Sequence, residues 1–289
     1  MKFKTFYNLF YAHRFKKASI VLKLYLCIVL PIRFLLNTFF FPRKIDLDSL
    51  EYTSSYLYKK NLNFLFEHFN SDKGNFFVDQ YMQPIKRNFK KIPAHGYSKF
   101  YEKFFSDKKE KNCNILELGS FYGNACASLF FYFKHSQIYS GDIYPDLFRY
   151  KSKRINKFFI DNSSEYSIKK NLLNKKVSFD IIIEDGSHFI KDQIISLFLL
   201  FKKLNPGGLF ITEELDFPDT RKDMNINNEK PTLKNILLSI IKKKEFDSKY
   251  VSEDDKRYLL ENYASIEIFK GNVNEIVLIK KKKILWTKI

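Results

Sequence analysis

The sequence is poor in cysteine, with only three among 289 residues. Cys27, Cys113 and Cys126 form an odd set, and their spacing matches no common pattern of metal ligands. Small secreted proteins that rely on disulfide bonds contain many more cysteines at close intervals. The composition therefore disfavours a disulfide-stabilised scaffold and predicts a reducing compartment, the cytoplasm.

Residues 1–45 contain no acidic residue and no long apolar run free of interruption. The apolar core of this segment has the ~20 residues that a bilayer requires, but Lys23, Pro31 and Arg33 interrupt it. No small-residue cleavage site follows it, which disfavours a signal peptide. We therefore expect a basic, apolar segment that lies peripherally at a membrane interface. The alternatives are a helix that packs on a partner subunit in a homo-oligomer and, less favoured, a spanning helix.

Acidic residues are also scarce in the whole chain, with 32 Asp and Glu against 50 Lys and Arg and a formal net charge of +18. Such a charge can attract nucleic acid, anionic lipid or an acidic substrate. A composition rich in Lys, Asn, Ile and Phe offers a second explanation, in which A/T-rich coding places lysine on any solvated surface. The 45% of hydrophobic residues predicts a folded core and excludes disorder for most of the chain.

After Asn112 the sequence alternates short apolar runs with helical segments. The runs predicted to be strands are NILELGS (114–120), QIYSGDI (137–143), INKFFIDN (155–162), FDIIIEDG (179–186), GGLFITEEL (207–215) and a closing pair, ASIEIFKGNVNEIVLIKKKK (264–283). This alternation predicts an α/β fold, in which a mostly parallel sheet is covered by helices on both faces. The closing pair predicts an antiparallel hairpin. We therefore expect a Rossmann-like nucleotide-binding fold.

The pattern divides the chain into three predicted regions. Residues 1–45 form the basic N-terminal segment, residues 46–105 form a helical lead-in that caps the acceptor side, and residues 106–289 form the Rossmann-like domain. Apolar residues in SSYLYKKNLNFLFEHF (54–69) recur at helical spacing, which supports helices in the second region.

Acidic residues follow the predicted strands at their carboxyl ends, where parallel α/β sheets bind ligands. In ELGSFYGN, Gly119 and Gly123 lie between the first strand and its helix, and glycine allows a ligand to approach the backbone closely. Asp142 ends the next strand, where an acid can accept both ribose hydroxyls. Asp161 follows the third strand and is predicted to contact the adenine amino group, although it can also be a solvated turn residue.

The glycine loop favours one class of nucleotide ligand over another. Dinucleotide-binding folds prefer G-x-G-x-x-G, and this loop lacks the middle glycine. S-adenosylmethionine contains no pyrophosphate that must be bound, so Glu117, the loop and the later acid fit that cofactor better. The predicted cofactor-binding residues are Glu117, Gly119, Ser120, Gly123, Asp142, Ile143 and Asp161.

A second cluster of polar residues is predicted where the fourth and fifth strands end. Asp185, Glu213 and Glu214 supply three carboxylates without a nearby cysteine, and this donor set suits Mg²⁺. Acids that stabilise helix N-termini are the alternative explanation. His188 lies three residues beyond Asp185 and is predicted to be the general base that takes a proton from an alcohol.

Six motifs together resemble metal-dependent class I methyltransferases, and in particular the mycinamicin-type macrolide-sugar O-methyltransferases. They are SDKG, HGYSKFYEKFF, ILELGSFYG, GDIYP, EDGSH and NPGGLFITEEL, between Ser71 and about Leu215. The resemblance implies a seven-stranded class I sheet, Mg²⁺ on Asp185, Glu213 and Glu214, and His188 as the base. It implies S-adenosylmethionine at the nucleotide end, with His95 and Tyr97 as contacts of the acceptor or cofactor.

We therefore predict an O-methyltransferase that depends on S-adenosylmethionine and Mg²⁺ and acts on a hydroxyl of a sugar or glycan, including a lipid-linked one. One alternative is an RNA methyltransferase that uses the basic surface, although no RNA-binding module is recognised and nucleic acid is disfavoured as a partner. The other is a membrane-associated scaffold of the same fold without catalysis. Asn124 and Ala125 replace the usual Gly-Ser of the nucleotide loop and support that scaffold alternative.

Overall fold

The computed structural model describes residues 2–40, 43–78 and 91–283. Within these ranges, the strands are β1 (Ile45–Asp46), β2 (Phe76–Val78), β3 (Lys91–Pro93), β4 (Asn114–Leu118), β5 (Gln137–Asp142), β6 (Tyr150–Lys151), β7 (Ile155–Phe159), β8 (Phe179–Glu184), β9 (Leu204–Thr212), β10 (Tyr263–Lys270) and β11 (Glu275–Lys281). The segment between the SDKG motif and His95, for which the sequence predicts part of the acceptor cap, lies in part outside the described residues.

The helices follow the alternation that the sequence predicts. They are α1 (Phe3–Phe10), α2 (Ala12–Lys17), α3 (Ile20–Phe40), α4 (Leu47–Thr53), α5 (Leu62–His68), α6 (Ser98–Phe105), α7 (Asn124–Tyr132), α8 (Glu165–Ile168), α9 (Ile190–Leu200), α10 (Phe217–Thr220), α11 (Leu233–Ile241) and α12 (Glu253–Asn262). Three short 3₁₀ segments (Ser55–Lys59, Ser106–Lys108, Phe201–Lys203) and one π-helical segment (Lys169–Leu173) join them.

Seven strands form one sheet in the order β10-β11-β9-β8-β4-β5-β7. The pairs β8–β9, β4–β8, β4–β5 and β5–β7 are parallel, whereas β11 runs antiparallel to both β9 and β10. The predicted mostly parallel, seven-stranded sheet with a C-terminal hairpin is therefore confirmed. Because β4, β5, β8 and β9 run in the same direction, their carboxyl ends meet at one edge of the sheet.

The central strands are apolar on both faces because helices cover both sides of the sheet. In β8, Ile181 and Ile183 pack into a core with α5, α6 and α7, while Ile182 packs into a second core with α9 and α11. Burying an aliphatic side chain of this size contributes about 1.5–3 kcal/mol. The continuous Ile181–Ile183 run thus reflects burial on two faces, as the sequence predicts.

The lead-in region is fixed to the sheet next to the strand ends. Asn61 caps α5 by accepting a hydrogen bond from the backbone N–H of Phe64. After α5, the backbone of Asp72 and Lys73 accepts hydrogen bonds from the N–H groups of His95 and Tyr97 at 2.8 and 2.9 Å. These bonds tie the SDKG turn to the segment before α6, and Lys73 in this turn contacts Asp185 and Glu213, which follow β8 and β9.

The N-terminal helices form a separate small cluster. Leu26, Leu30 and Phe34 make one stripe along α3 and pack with Phe6 and Tyr11. Among the side chains that the structure describes in α3, ten other large apolar ones are exposed: Ile20, Val21, Leu22, Leu24, Tyr25, Ile28, Ile32, Leu35, Leu36 and Phe39. None of the helices in the described parts of the chain is long and apolar enough to cross a membrane.

Candidate active site

A cleft of about 830 Å³ opens where the parallel strands end. It is lined on the nucleotide side by residues that follow β4, β5 and β7, namely Gly119, Phe121, Asp142, Ile143, Tyr144, Asp161 and Asn162. On the opposite side it is lined by residues that follow β8 and β9 and by the lead-in region, among them Asp72, His95, Asp185, His188, Glu214, Phe217 and Arg221. Members of both clusters predicted from the sequence therefore border the same cavity.

Gly119 lets β4 end close to β8. Its φ is +83°, and a Cβ atom at this position would lie 1.8 Å from the backbone oxygen of Asp185. No other residue fits both the backbone conformation and the space. The sequence identified this glycine from the loop pattern, and the structure shows that the close approach is to the neighbouring strand end.

Asp142 organises the loop on the nucleotide side. Its two carboxylate oxygens accept hydrogen bonds from the backbone N–H groups of Phe121 at 2.7 Å and Tyr144 at 2.6 Å. Burial raises the pKa of Asp142, while these two N–H donors lower it. Ile143 is exposed beside it, and Asp161 also borders the cleft, where its carboxylate accepts from the N–H and hydroxyl of Ser163.

Three other predicted cofactor residues lie behind the cleft wall. Glu117 is buried, and its carboxylate accepts a hydrogen bond from Cys126 at 2.9 Å. Ser120 donates to the backbone oxygen of Glu117, and Gly123, with φ +81°, precedes α7. In the described part of the chain these three do not border the cavity, so they shape the loop that does.

Asp185, His188 and Glu214 converge at the opposite side, with ligand atoms that all lie within 4.8 Å of one another. The His188 Nε2 lies 2.6 Å from Glu214 Oε2 and 3.6 Å from Asp185 Oδ1. His188 and Glu214 both have positive φ, at 59° and 50°. Such strained backbone is typical of functional sites, where surrounding structure enforces it. The donor set of two carboxylates and one imidazole fits a divalent cation.

The electrostatics of this group favour a protonated imidazole. Burial lowers the pKa of His188, but the hydrogen bond and charge of Glu214, with the charge of Asp185, raise it to about 9. The His188 Nδ1 is buried and has no hydrogen-bond partner among the described residues. The group therefore holds one positive charge between two carboxylates at neutral pH.

His95 lines the cleft, whereas Tyr97 lies behind it. His95 borders the cleft, with Nε2 at 3.1 Å from Glu214 Oε1 and Nδ1 at 3.1 Å from the amide of Asn274. Tyr97 stacks on His95 and is fully buried, and its hydroxyl accepts from the N–H of Glu214. Tyr97 thus supports the site from behind and does not line the cavity.

Glu213 points away from Glu214, into the interior. Its carboxylate accepts hydrogen bonds from Lys73 Nζ at 2.8 Å and from the hydroxyl of Tyr101. Lys73 is 1% exposed and also lies 2.5 Å from Asp185 Oδ2 and 3.7 Å from Glu117 Oε1. The structure thus brings Asp185 and Glu214 together with His188 and places Glu213 in an ion pair. The predicted role of Glu213 as a metal ligand stays a prediction.

Sequence reasoning missed Lys73 and Tyr101. Both occur in motifs that carry the family resemblance, SDKG and HGYSKFYEKFF, but a lysine in a polar turn is usually solvated. The available signal was the excess of strand-end acids, since buried carboxylates require a cation.

Comparisons with known proteins give the following similarities. No family model matches the sequence. The chain is 29% identical over 128 residues to 8-demethyl-8-alpha-L-rhamnosyl tetracenomycin-C 2'-O-methyltransferase of Streptomyces olivaceus, and this match covers 42% of the chain and 33% of the relative. It is 27% identical over 128 residues to mycinamicin VI 2''-O-methyltransferase of Micromonospora griseorubida, covering 42% of the chain and 32% of that relative. The matched part is thus about a third of the length of each relative.

A solved structure extends the similarity to most of the chain. The MycE methyltransferase from the mycinamycin biosynthetic pathway, in complex with Mg and SAH, superposes with a TM-score of 0.58 at 19% identity, over 80% of this chain and 57% of that one. At this identity the likeness establishes the fold. The chain therefore has the class I methyltransferase fold, and the resemblance of its central part to sugar O-methyltransferases is confirmed.

Proposed function

We propose that the protein is an O-methyltransferase that uses S-adenosylmethionine and Mg²⁺ to methylate a sugar hydroxyl. The observation that carries this proposal is the convergence of Asp185, His188 and Glu214 at one side of a cleft whose other side is formed by Gly119 and Asp142. The names of the relatives support the reaction and the class of acceptor. A glycan, including a lipid-linked one, is the acceptor class that we propose.

The residues that line the cleft fit both groups. Asp142 and the Gly119 loop would hold the nucleoside, and Asp185 and Glu214 would hold the cation beside His188. When bound, S-adenosylmethionine supplies an electrophilic methyl group and Mg²⁺ lowers the pKa of a coordinated hydroxyl.

In the proposed reaction, side chains of the protein take the hydroxyl proton and orient the acceptor. His188 Nε2 lies at the cleft and is the group proposed to take the hydroxyl proton. It can do so only as the neutral imidazole, when Glu214 no longer holds that nitrogen in its protonated form. His95 and Asp72 border the same wall and are proposed to orient the acceptor.

Calorimetric titration with S-adenosylhomocysteine, in Mg²⁺ and then in EDTA, tests this proposal. We expect binding to the wild type and to Asp185→Ala, and at least a tenfold loss in Asp142→Ala. Asp254→Ala is the matched control, because this acid is 86% exposed and does not line the cleft. Absence of binding in both buffers would contradict the proposal. Binding without methyl transfer to any sugar acceptor would instead favour the non-catalytic scaffold.

For the N-terminal segment we propose an anionic membrane surface as the partner. Residues 1–45 contain nine Lys or Arg and no acid, and ten large apolar side chains of α3 are exposed. Basic charge beside exposed apolar area is the chemistry that binds an anionic lipid interface. A peripheral position at the cytoplasmic membrane is part of this proposal.

Sedimentation with vesicles tests the membrane proposal. We expect the full chain to bind phosphatidylglycerol vesicles more strongly than phosphatidylcholine vesicles, and Ile28→Glu to weaken this binding. Ile226→Glu is the matched control, because Ile226 is 83% exposed outside this segment and Ile28 is 70% exposed within it. Equal binding of both variants would contradict the proposal, and a change of oligomeric state in Ile28→Glu alone would favour subunit packing.

A further inference from the structure

Asp146 joins the N-terminal helices to the loop that follows β5. Helix α1 begins at Phe3, and Lys2, which precedes it, supplies no side-chain cap. The free N–H groups at the start of a helix need acceptors from elsewhere. The Asp146 Oδ2 accepts a hydrogen bond from the backbone N–H of Lys2 at 2.6 Å, and its Oδ1 accepts one from the hydroxyl of Thr5 at 2.9 Å. Thr5 is buried, so this acid fixes the start of α1 to the loop.

The loop that carries Asp146 also forms part of the cleft. Ile143 and Tyr144 line the cleft on the nucleotide side, and the Asp142 carboxylate accepts from the N–H of Tyr144 at 2.6 Å. The N–H of Leu147 donates to the carbonyl oxygen of Tyr144 at 3.0 Å, which closes a turn over residues 144–147. A residue of the cleft wall and the anchor of α1 therefore belong to the same closed turn.

The later part of this loop contacts both the glycine loop and the end of the N-terminal segment. A Cβ atom at Gly123 would lie 2.4 Å from the ring of Phe148, so this ring packs closely on the glycine. The carbonyl oxygen of Arg149 accepts from the N–H of Ile45 at 2.9 Å, and β1 pairs with β6 beyond it. Residues 1–45 are thus bound to this loop near both of their ends.

We propose that Asp146 is a positioning residue of the cofactor site: it couples docking of α1 to the turn that carries Tyr144, so that docking and cofactor binding strengthen each other. This inference rests on the proposed S-adenosylmethionine site. A turn that is already held in place loses less conformational freedom when the nucleoside binds, so the affinity is higher. By linkage, the bound nucleoside must stabilise the docked position of α1 to the same extent.

Calorimetric titration of the full chain with S-adenosylhomocysteine tests the inference from both sides of the contact. Asp146→Ala removes both acceptor oxygens, and we expect binding to weaken by about fivefold or more. Thr5→Val removes one donor at a residue that does not line the cleft, and we expect binding to weaken by about threefold, because the bond from Lys2 remains. If both changes act through this contact, the double variant should bind no more weakly than Asp146→Ala.

Thr38→Val gives the matched control. Thr38 also belongs to the N-terminal segment, but its hydroxyl donates to the backbone oxygen of Phe34 at 2.8 Å, within α3. The same change there should leave the binding of S-adenosylhomocysteine unchanged. Wild-type affinity in Thr5→Val would overturn the inference, since any loss in Asp146→Ala would then arise within the loop alone.

Hydrogen exchange of α1 measures the reciprocal effect. Saturation with S-adenosylhomocysteine should slow the exchange of the backbone N–H groups of α1 in the wild type but not in Asp146→Ala. A merely structural role of Asp146 would not make this exchange depend on the cofactor. Exchange of α1 that is the same with and without S-adenosylhomocysteine in the wild type would therefore overturn the inference, because linkage requires the effect.

Two further outcomes separate this inference from the proposed function. If the wild type binds no S-adenosylhomocysteine, the proposed cofactor site itself fails, and the inference fails with it. Binding to the wild type with no loss in Thr5→Val overturns the inference alone. If Asp146→Ala does not fold, as judged by circular dichroism, Thr5→Val and the exchange of α1 in the wild type still decide.

Discussion

The acids at the strand ends fall into two groups that lie side by side but have opposite surroundings. Asp185 and Glu214 face the cleft with His188, and Glu117 and Glu213 face the interior with Lys73. The first, outer group contains a cation, His188, whose pKa is about 9, and the second, inner group contains one, Lys73, whose pKa is raised well above its usual value. The inner group is also withdrawn from solvent, whereas the outer group borders the cleft and is available for binding and proton transfer.

Removal of the inner cation should have the largest effect on stability. Lys73→Met leaves the buried Glu213 without its cation, which typically costs about 3–5 kcal/mol in the free energy of unfolding. Urea denaturation measures this cost. Lys103→Met removes an exposed lysine from a surface pair and should cost less than ~1 kcal/mol. Equal losses in the two variants would show that the inner group is not a stabilising ion pair.

The outer group should contribute stability that depends on pH. The pKa of His188 is raised from 6.5 to about 9, so its contribution is full below pH 6.5 and is lost as the pH rises through 9. Glu214→Gln should therefore destabilise the protein by about 3 kcal/mol at pH 6 and by little at pH 10. Urea titrations at both pH values measure the difference. A loss of stability that does not depend on pH would show that the pair of His188 and Glu214 does not titrate between pH 6 and 10.

Glu184 should also make stability fall as the pH rises, but over a lower range of pH. It is fully buried at the end of β8, next to Asp185, and burial raises its pKa from 4.5 to about 7. The folded state then binds a proton more tightly than the unfolded state, so stability falls as the pH rises from 4.5 to 7. The neutral amide of Glu184→Gln buries no charge and still accepts the hydrogen bond from the N–H of Gly186, but it adds a buried N–H group. We therefore expect this variant to stabilise the protein by about 2 kcal/mol at pH 8. Glu165→Gln, at an exposed position, should not change stability. A destabilised Glu184→Gln variant at pH 8 would contradict this account.

The smallest expected effect is the loss of one hydrogen bond in the inner group. Tyr101→Phe removes the hydroxyl that donates to Glu213 and leaves the ion pair with Lys73 intact. We expect a loss of about 1–2 kcal/mol, because a buried acceptor loses one of its partners. Tyr166→Phe, at a residue 72% exposed, is the control and should lose nothing measurable. A gain of stability in Tyr101→Phe would show that this hydroxyl is poorly accommodated.

Local sequence patterns were sufficient for the sheet and for the position of the site. The run Ile181–Ile183 indicated a strand buried on both faces, and Gly119 indicated a close approach of backbone, because both depend on neighbours in sequence and on simple sterics. The strand ends carried the acids as predicted, and Asp142 and Asp185 do border one cleft. Chain direction alone brings these ends together in a parallel sheet.

Local sequence patterns did not predict which cation each acid pairs with. Glu213 and Glu214 are adjacent, yet one pairs with Lys73 and the other with His188. Lys73 lies more than a hundred residues away in the sequence, and its distance from Glu213 depends on how α5 and the SDKG turn pack on the sheet. The hydrophobic periodicity of the sequence does not predict a contact between residues so far apart.

The sequence by itself determined the class of fold, the edge of the sheet where ligands bind and the kinds of side chain found there. Those features follow from hydrophobic period, glycine conformation and the common direction of parallel strands. Only the tertiary structure decided which carboxylates face the cleft and which are neutralised inside. That choice depends on burial and on the placement of a single lysine, since a carboxylate withdrawn from water is stable only beside a cation.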